Sequence, residues 1–360
     1  MLGAMTVPLP RPEVASLPAY VPGARGAGGP TPIKLSSNES PYGPLPSVRA
    51  AIARGGESPH RYPDMTARAL HERLAQANGV QPDAVVAGAG SVAVLAHILG
   101  AFCGAGDEVV FPWRSFEAYP ILVAIAGGVA VRVPLTEGAR HDLPAMASAI
   151  TDRTRVVMVC SPNNPTGPAV HAGEFADFMA AVPPNVVVVL DEAYGEYSRD
   201  PLAVRGDDVL GTYSNLLVLR TFSKAYGLAG MRVGYALGPA DLLAPVRSVV
   251  TPFSITEVAQ TAAIASLDAV DELLTRVDVT VSERDRVLAG VRALGWDAPD
   301  ADGNFVWVPA GDDTAGLAAT LAALSTPILV RPFAGEGVRI TIGSPEENDA
   351  LLAALPSPRA

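Results

Sequence analysis

Residues 186–194 read Val-Val-Val-Val-Leu-Asp-Glu-Ala-Tyr, five aliphatic residues and then a polar cluster. A strand with one wet face alternates apolar and polar residues, whereas five aliphatic residues in a row fit a strand covered on both faces. The run stops abruptly in a polar cluster. Two others do the same: Val156–Cys160 before Ser-Pro-Asn-Asn, and Leu216–Leu219 before Arg-Thr-Phe-Ser-Lys. Helix-like segments separate them, which implies a parallel or mostly parallel sheet in an α/β fold. Such sheets bind ligands at the carboxyl ends of their strands, where the polar clusters fall.

Outward from this core the texture varies. Residues 64–78 place Met65, Ala69, Leu70 and Leu74 on one predicted helical face, with Gly79 as its stop. Residues 257–294 read as one long helix, and short strands follow at Asn304–Val308 and Arg339–Ile342, the pattern of a smaller α+β unit. Seven prolines in residues 1–32 argue for an extended arm without helix. The expected division is an arm over 1–40, a large domain over 41–245 and a small domain over 246–360.

Composition narrows the function classes. With 49% hydrophobic and 18% charged residues, the 360-residue chain has material for a large core and is not wholly disordered. A net charge of 26 − 37 = −11 argues against nucleic acid or an anionic membrane as partner. No apolar stretch reaches the roughly 18 residues of a membrane span, and the N-terminus lacks the apolar region of a secretory signal. The two cysteines, Cys103 and Cys160, have no metal-ligand spacing. They suit a reducing cytoplasm, and no metal site is expected.

Lysine usage points to the chemistry. Of 26 basic residues only Lys34 and Lys224 are lysines; the other 24 (26 − 2) are arginines. Arginine serves wherever a positive charge is enough. A primary amine can also lose its proton and condense with a carbonyl, which a guanidinium cannot. Lys224 follows a predicted strand in Thr-Phe-Ser-Lys-Ala-Tyr-Gly-Leu-Ala-Gly-Met-Arg-Val-Gly-Tyr. Ser223 precedes it and Arg232 lies eight residues on. A hydroxyl and a guanidinium beside a reactive amine are what a phosphorylated aldehyde needs.

This segment resembles the lysine motif of fold-type I pyridoxal 5'-phosphate aminotransferases. The similarity runs from about Tyr20 to Asn348 and implies a large domain with a mostly parallel seven-stranded sheet plus a smaller α+β domain. It implies that Lys224 is the catalytic amine that holds the cofactor, that Asp191 pairs with its ring nitrogen, and that Asn164 and Tyr194 contact its ring oxygen. Phe116 corresponds to the aromatic residue stacked on the ring. Ser223, Arg232 and the turn Gly90, Ser91 and Val92 correspond to the phosphate cradle, with Val92 standing where many relatives carry an acidic residue. Tyr62 resembles a tyrosine reaching the neighbouring subunit's phosphate, which implies a homodimer with shared sites. Arg339 matches the clamp on the substrate carboxylate; Tyr20, Asn38 and Arg331 correspond to the substrate side.

Within the family, Lys-Leu-Ser-Ser-Asn-Glu-Ser-Pro-Tyr-Gly-Pro, Arg-Tyr-Pro-Asp and the lysine motif resemble the histidinol-phosphate aminotransferase branch. Phe-Pro-Trp-Arg-Ser-Phe-Glu-Ala-Tyr-Pro resembles its actinobacterial aromatic amino acid subgroup. The resemblance thus implies transamination of phenylalanine or tyrosine with 2-oxoglutarate, with histidinol phosphate as the alternative substrate.

Overall fold

All three apolar runs are strands of one sheet in the computed structural model, which describes residues 9–15, 17 and 31–358. The seven strands are β1 (Val85–Gly88), β2 (Glu108–Trp113), β3 (Val129–Pro134), β4 (Thr154–Cys160), β5 (Val187–Asp191), β6 (Leu216–Thr221) and β7 (Gly234–Leu237). Their spatial order is β1-β7-β6-β5-β4-β2-β3. Only β7 opposes its neighbours β6 and β1; the remaining pairings are parallel. Every residue of β5 is buried, as its unbroken aliphatic run predicts.

Because successive side chains on a strand point to opposite faces, β5 feeds two cores. Val188 and Leu190 join Leu70, Leu74, Phe175 and Ala262 on one face. Val187 and Val189 join Ile98, Leu99, Tyr119 and Val123 on the other. Each fully buried aliphatic side chain contributes about 1.5–3 kcal/mol, so both helical layers are held by the sheet rather than by helix propensity. The second layer matters for function. Its helices α2 (Ser91–Phe102) and α3 (Ala118–Ala126) begin just beyond the carboxyl ends of β1 and β2, and so point their N-termini at the edge where the polar clusters lie.

Helix α1 runs from Arg68 to Asn78 and stops at Gly79, whose φ of 64° is the left-handed cap expected there. The buried face is Leu70, Leu74 and Ala75. Met65 lies before the helix, which starts only after Ala67 turns to a φ of 46°, and Met65 and Ala69 are exposed. The long helix expected over 257–294 is two, α4 (Glu257–Asp268) and α5 (Val270–Ala293), parted at Ala269. Residues Pro12–Ala15 form one helical turn where the proline content argues against any. Pro12 occupies its first position, where the missing N–H is harmless.

A three-stranded antiparallel sheet of β8 (Phe305–Val308), β9 (Arg331–Phe333) and β10 (Gly337–Thr341), with β10 central, forms the smaller unit. Ile33–Lys34 pairs in parallel with Ile328–Leu329, and Leu35 is buried in the same core as Val306, Ile328 and Ile340. Residues 33–35 are thus built onto the smaller unit. Helix α4 buries Ala259, Ala262, Ala263 and Leu267 in the large core. Within α5, Leu273 packs in the large core and Val287 in the small one.

Candidate active site

The carboxyl ends of β1, β2, β4, β5 and β6 converge on a cleft of about 210 Å³. The strand ends bring Ser91, Val92, Phe116, Asn164, Asp191, Tyr194, Ser223, Lys224 and Arg232 to its walls, and the small sheet adds Arg331 and Arg339. Residues scattered over 249 positions of sequence (91 to 339) thus meet in one place. Strand direction accounts for it, because a parallel sheet collects the loops that follow its strands along one edge.

Asp191 ends β5 at the cleft floor and is 6% exposed. Burial raises its carboxyl to about 6, while a hydrogen bond from the Tyr119 hydroxyl and one from the Ala193 N–H pull the other way. Tyr119 donates to Oδ2 at 2.7 Å and Ala193 to Oδ1 at 3.2 Å. The sequence reading passes over Tyr119. It lies in the first turn of α3, three residues after Phe116, and the two rings meet edge-on at 5.6 Å.

Lys224 follows β6, and its Nζ donates to the Ser37 carbonyl at 3.2 Å. Burial lowers its ammonium to about 7, and the positive charges of Arg339 and Arg232 push in the same direction against Glu39 and Asp191. The amine is therefore partly unprotonated near neutrality and able to act as nucleophile or base.

On the next wall Arg232, at a left-handed φ of 57°, donates from Nη1 to the Ser223 hydroxyl at 3.1 Å and to the Ala229 carbonyl at 3.0 Å. Gly90, the residue before α2, has a φ of 90°, and a Cβ there would run into the Arg232 guanidinium. Only glycine fits that turn. The first N–H groups of a helix have no acceptor within it, and here they stand beside a guanidinium and a hydroxyl, a donor set suited to a phosphate.

The smaller unit closes the cleft from above. Asn38, fully buried at a φ of 53°, donates from Nδ2 to the Tyr194 hydroxyl at 2.9 Å and accepts from the Thr341 hydroxyl at 3.0 Å. Burial raises the Tyr194 phenol. Arg339 donates to Asn164 Oδ1 at 2.6 Å and to the Ser36 carbonyl at 2.9 Å. Ser36, Ser37 and Thr341 go unremarked in the sequence reading; two of them act through main-chain carbonyls, which residue identity does not reveal.

Tyr62 is 82% exposed and packs on Phe253, with ring centres 4.6 Å apart, away from its own chain's cleft. Tyr20 lies outside the described residues. Trp113 and Arg114 do not line the cleft: the Arg114 guanidinium stacks 4.3 Å from the Trp113 ring and pairs with Glu336.

A family model described as "Aminotransferase class I and II" matches residues 30–355. This chain belongs to that family. Among its relatives, this class I and II aminotransferase is 49% identical to an aromatic amino acid aminotransferase of Streptomyces avermitilis, over 96% of both chains. It is 52% identical to an aromatic amino acid aminotransferase of Corynebacterium jeikeium, over 96% of this chain and 92% of that one. The fold is similar to the crystal structure of histidinol-phosphate aminotransferase from Sinorhizobium meliloti in complex with pyridoxal-5'-phosphate. That match has a TM-score of 0.87 and 28% identity, covering 98% of each chain. The fold-type I architecture expected from the lysine motif is the architecture found. Among the described residues no helix of this aminotransferase is long and apolar enough to cross a membrane.

Proposed function

We propose that this aminotransferase uses pyridoxal 5'-phosphate to transfer the amino group of an aromatic L-amino acid, phenylalanine or tyrosine, to 2-oxoglutarate. The products are the aromatic 2-oxo acid and L-glutamate. The observation that carries the reading is the convergence on one cleft of a desolvated amine, a buried carboxylate and two separate arginine sites. The names borne by relatives at about half identity over nearly the whole chain support the aromatic substrate.

The residues fit the cofactor. Gly90 leaves room for Arg232, which with Ser223 and the first N–H groups of α2 would receive the phosphate. Asp191 would face the ring nitrogen, Asn164 and Tyr194 the ring oxygen, and Phe116 the ring plane. Bound, the cofactor supplies an electron sink for the charge left when the substrate loses its α-proton, and it stores the amino group between half-reactions.

The chain's own groups supply the rest. Arg339, held from behind by Asn164 and Ser36, presents a planar donor pair to the substrate carboxylate. The Lys224 Nζ, lowered to about 7, takes the α-proton and would deliver it to the exocyclic carbon of the bound cofactor, acting as base and then as acid. Asp191 would keep the ring nitrogen protonated, and Tyr119, by donating to Asp191, favours its ionised form. Tyr62, exposed on its own chain, would reach the partner's phosphate in a two-fold homodimer. A cytoplasmic setting suits the two free thiols.

The test is kcat/KM for phenylalanine, tyrosine and histidinol phosphate on the purified holoenzyme with 2-oxoglutarate as acceptor. The aromatic amino acids should exceed histidinol phosphate by at least about tenfold, 1.4 kcal/mol of transition-state binding. The reverse preference overturns the substrate assignment.

A further inference from the structure

Arg331 and Arg339 are direct partners across the β9–β10 ladder, so their side chains share one face of the small sheet, and both line the cleft. Their surroundings differ. Arg339 donates to two neutral acceptors, the Asn164 amide oxygen and the Ser36 carbonyl. Arg331 is matched by a carboxylate. Its Nη2 donates to both oxygens of Glu117, at 2.9 and 2.7 Å, and its Nε to Oε2 at 3.2 Å. Glu117 follows Phe116 in the chain, so the pair joins the large unit to the small sheet at the cleft wall. A second arginine–glutamate pair lies nearby, outside the cleft lining. Arg114, 5.5 Å from the Phe333 ring, is bound by Glu336, and Arg331 lies 5.7 Å from that ring on its own side.

We propose that Glu117 is a specificity-determining residue: by cancelling the charge of Arg331 it makes the distal end of the cleft neutral and selects substrates without a second anionic group. This rests on the aminotransferase reading and deepens it. A substrate with a neutral aromatic end binds at Arg339 and leaves the Arg331–Glu117 pair intact. One with a distal carboxylate must take Arg331 for itself and turn Glu117 aside. Glu117 can yield, because its side chain is 28% exposed while that of Arg331 is 9% exposed. The diacid partner in the second half-reaction is thus admitted by exchange of one carboxylate for another, at reduced affinity.

The experiment uses two unreactive probes on the holoenzyme, 3-phenylpropanoate with one carboxylate and glutarate with two, titrated calorimetrically. In Glu117→Gln the ratio of Kd for glutarate to Kd for 3-phenylpropanoate should fall by about tenfold or more, a change of 1.4 kcal/mol in relative binding. Glu117→Asp, which keeps the charge, should stay within about threefold of the wild type. In an Arg331→Gln background the Glu117→Gln change should no longer favour glutarate. An unchanged ratio in folded Glu117→Gln, or an equal gain with Arg331 already removed, overturns the proposal. If Glu117→Gln does not fold, Glu117→Asp and Arg331→Gln still decide it: Arg331→Gln must weaken glutarate more than 3-phenylpropanoate, and equal weakening refutes it. Wild-type protein that fails to transaminate phenylalanine defeats the underlying reading instead, a separate outcome.

Discussion

Replacing Tyr119 by phenylalanine removes one hydroxyl from the cleft floor and leaves the ring in place. That hydroxyl donates to Asp191 Oδ2 at 2.7 Å, and both side chains are buried. Losing a hydrogen bond to a buried charged group costs about 1.5–3 kcal/mol. At 1.36 kcal/mol per unit, that lifts Asp191 by about one to two units, from about 6 to roughly 7–8. The folded pKa already lies above the ordinary 3.8, so the folded cofactor-free protein holds a proton that the unfolded chain has released. Stability from this group is therefore fully present below about pH 4 and lost as pH rises through 6, by about 3 kcal/mol, (6 − 3.8) × 1.36. In the variant the loss continues to about pH 8 and is larger by the same 1.5–3 kcal/mol. Urea unfolding of cofactor-free wild type and variant between about pH 5 and pH 8 reads the difference directly, because the other titrating groups cancel. The gap should be small at the acid end and widen towards pH 8. A gap that stays constant across that range refutes the reasoning.

Two other substitutions probe the cradle and the amine. Gly90→Ala puts a Cβ against the Arg232 guanidinium at a φ of 90°; with about 1–3 kcal/mol of backbone strain at such a position, pyridoxal phosphate affinity should drop about tenfold or more. Equilibrium dialysis measures the drop, while the circular dichroism spectrum stays that of the wild type. Lys224→Arg keeps the charge but not the removable proton, and single-turnover transamination of phenylalanine should slow by at least about 10²–10⁴-fold, the usual worth of a positioned acid–base group. Near-normal turnover in that variant would remove Lys224 from the assigned role.

The central sheet was legible in the chain because its strands carry a signal that survives without tertiary context: runs of aliphatic residues with no polar alternation, each stopping at a polar cluster. Asp191, Asn164 and Lys224 could be placed relative to those stops, and strand direction brings them together. Periodicity is weaker evidence. It marks residues 64–78 as helical, but the turn at Ala67 delays the helix and leaves Met65 outside. It runs 257–294 together, since nothing in composition announces the break at Ala269. Helix α4 looks like the start of the smaller unit by position, yet its alanines pack in the large core, because small side chains say little about which neighbour they meet. Least legible were contacts between distant segments through charge or main chain: Glu117 with Arg331, Lys224 with the Ser37 carbonyl, Asn38 with Thr341. Residue type states what such groups can bind, and only the fold states what they do bind.

The cleft is electrostatically incomplete without a partner, and this ties its chemistry to its stability. Asp191 resists ionising above the usual carboxylate range and Lys224 resists protonation below the usual amine range, each chiefly because burial strips it of water. The signs are opposite: Asp191 lowers stability increasingly as pH climbs through 6, whereas Lys224 lowers it most below 7, where the buried ammonium must form, and ceases to do so above about 10.5. At neutral pH the protein bears most of both costs, and no pH relieves the two together. A ligand with a cationic ring nitrogen for Asp191 and a carbonyl for the Lys224 amine relieves both in one binding event. The burial that makes the amine reactive is thus the burial that makes the empty fold less stable, and both are offset by the same bound group.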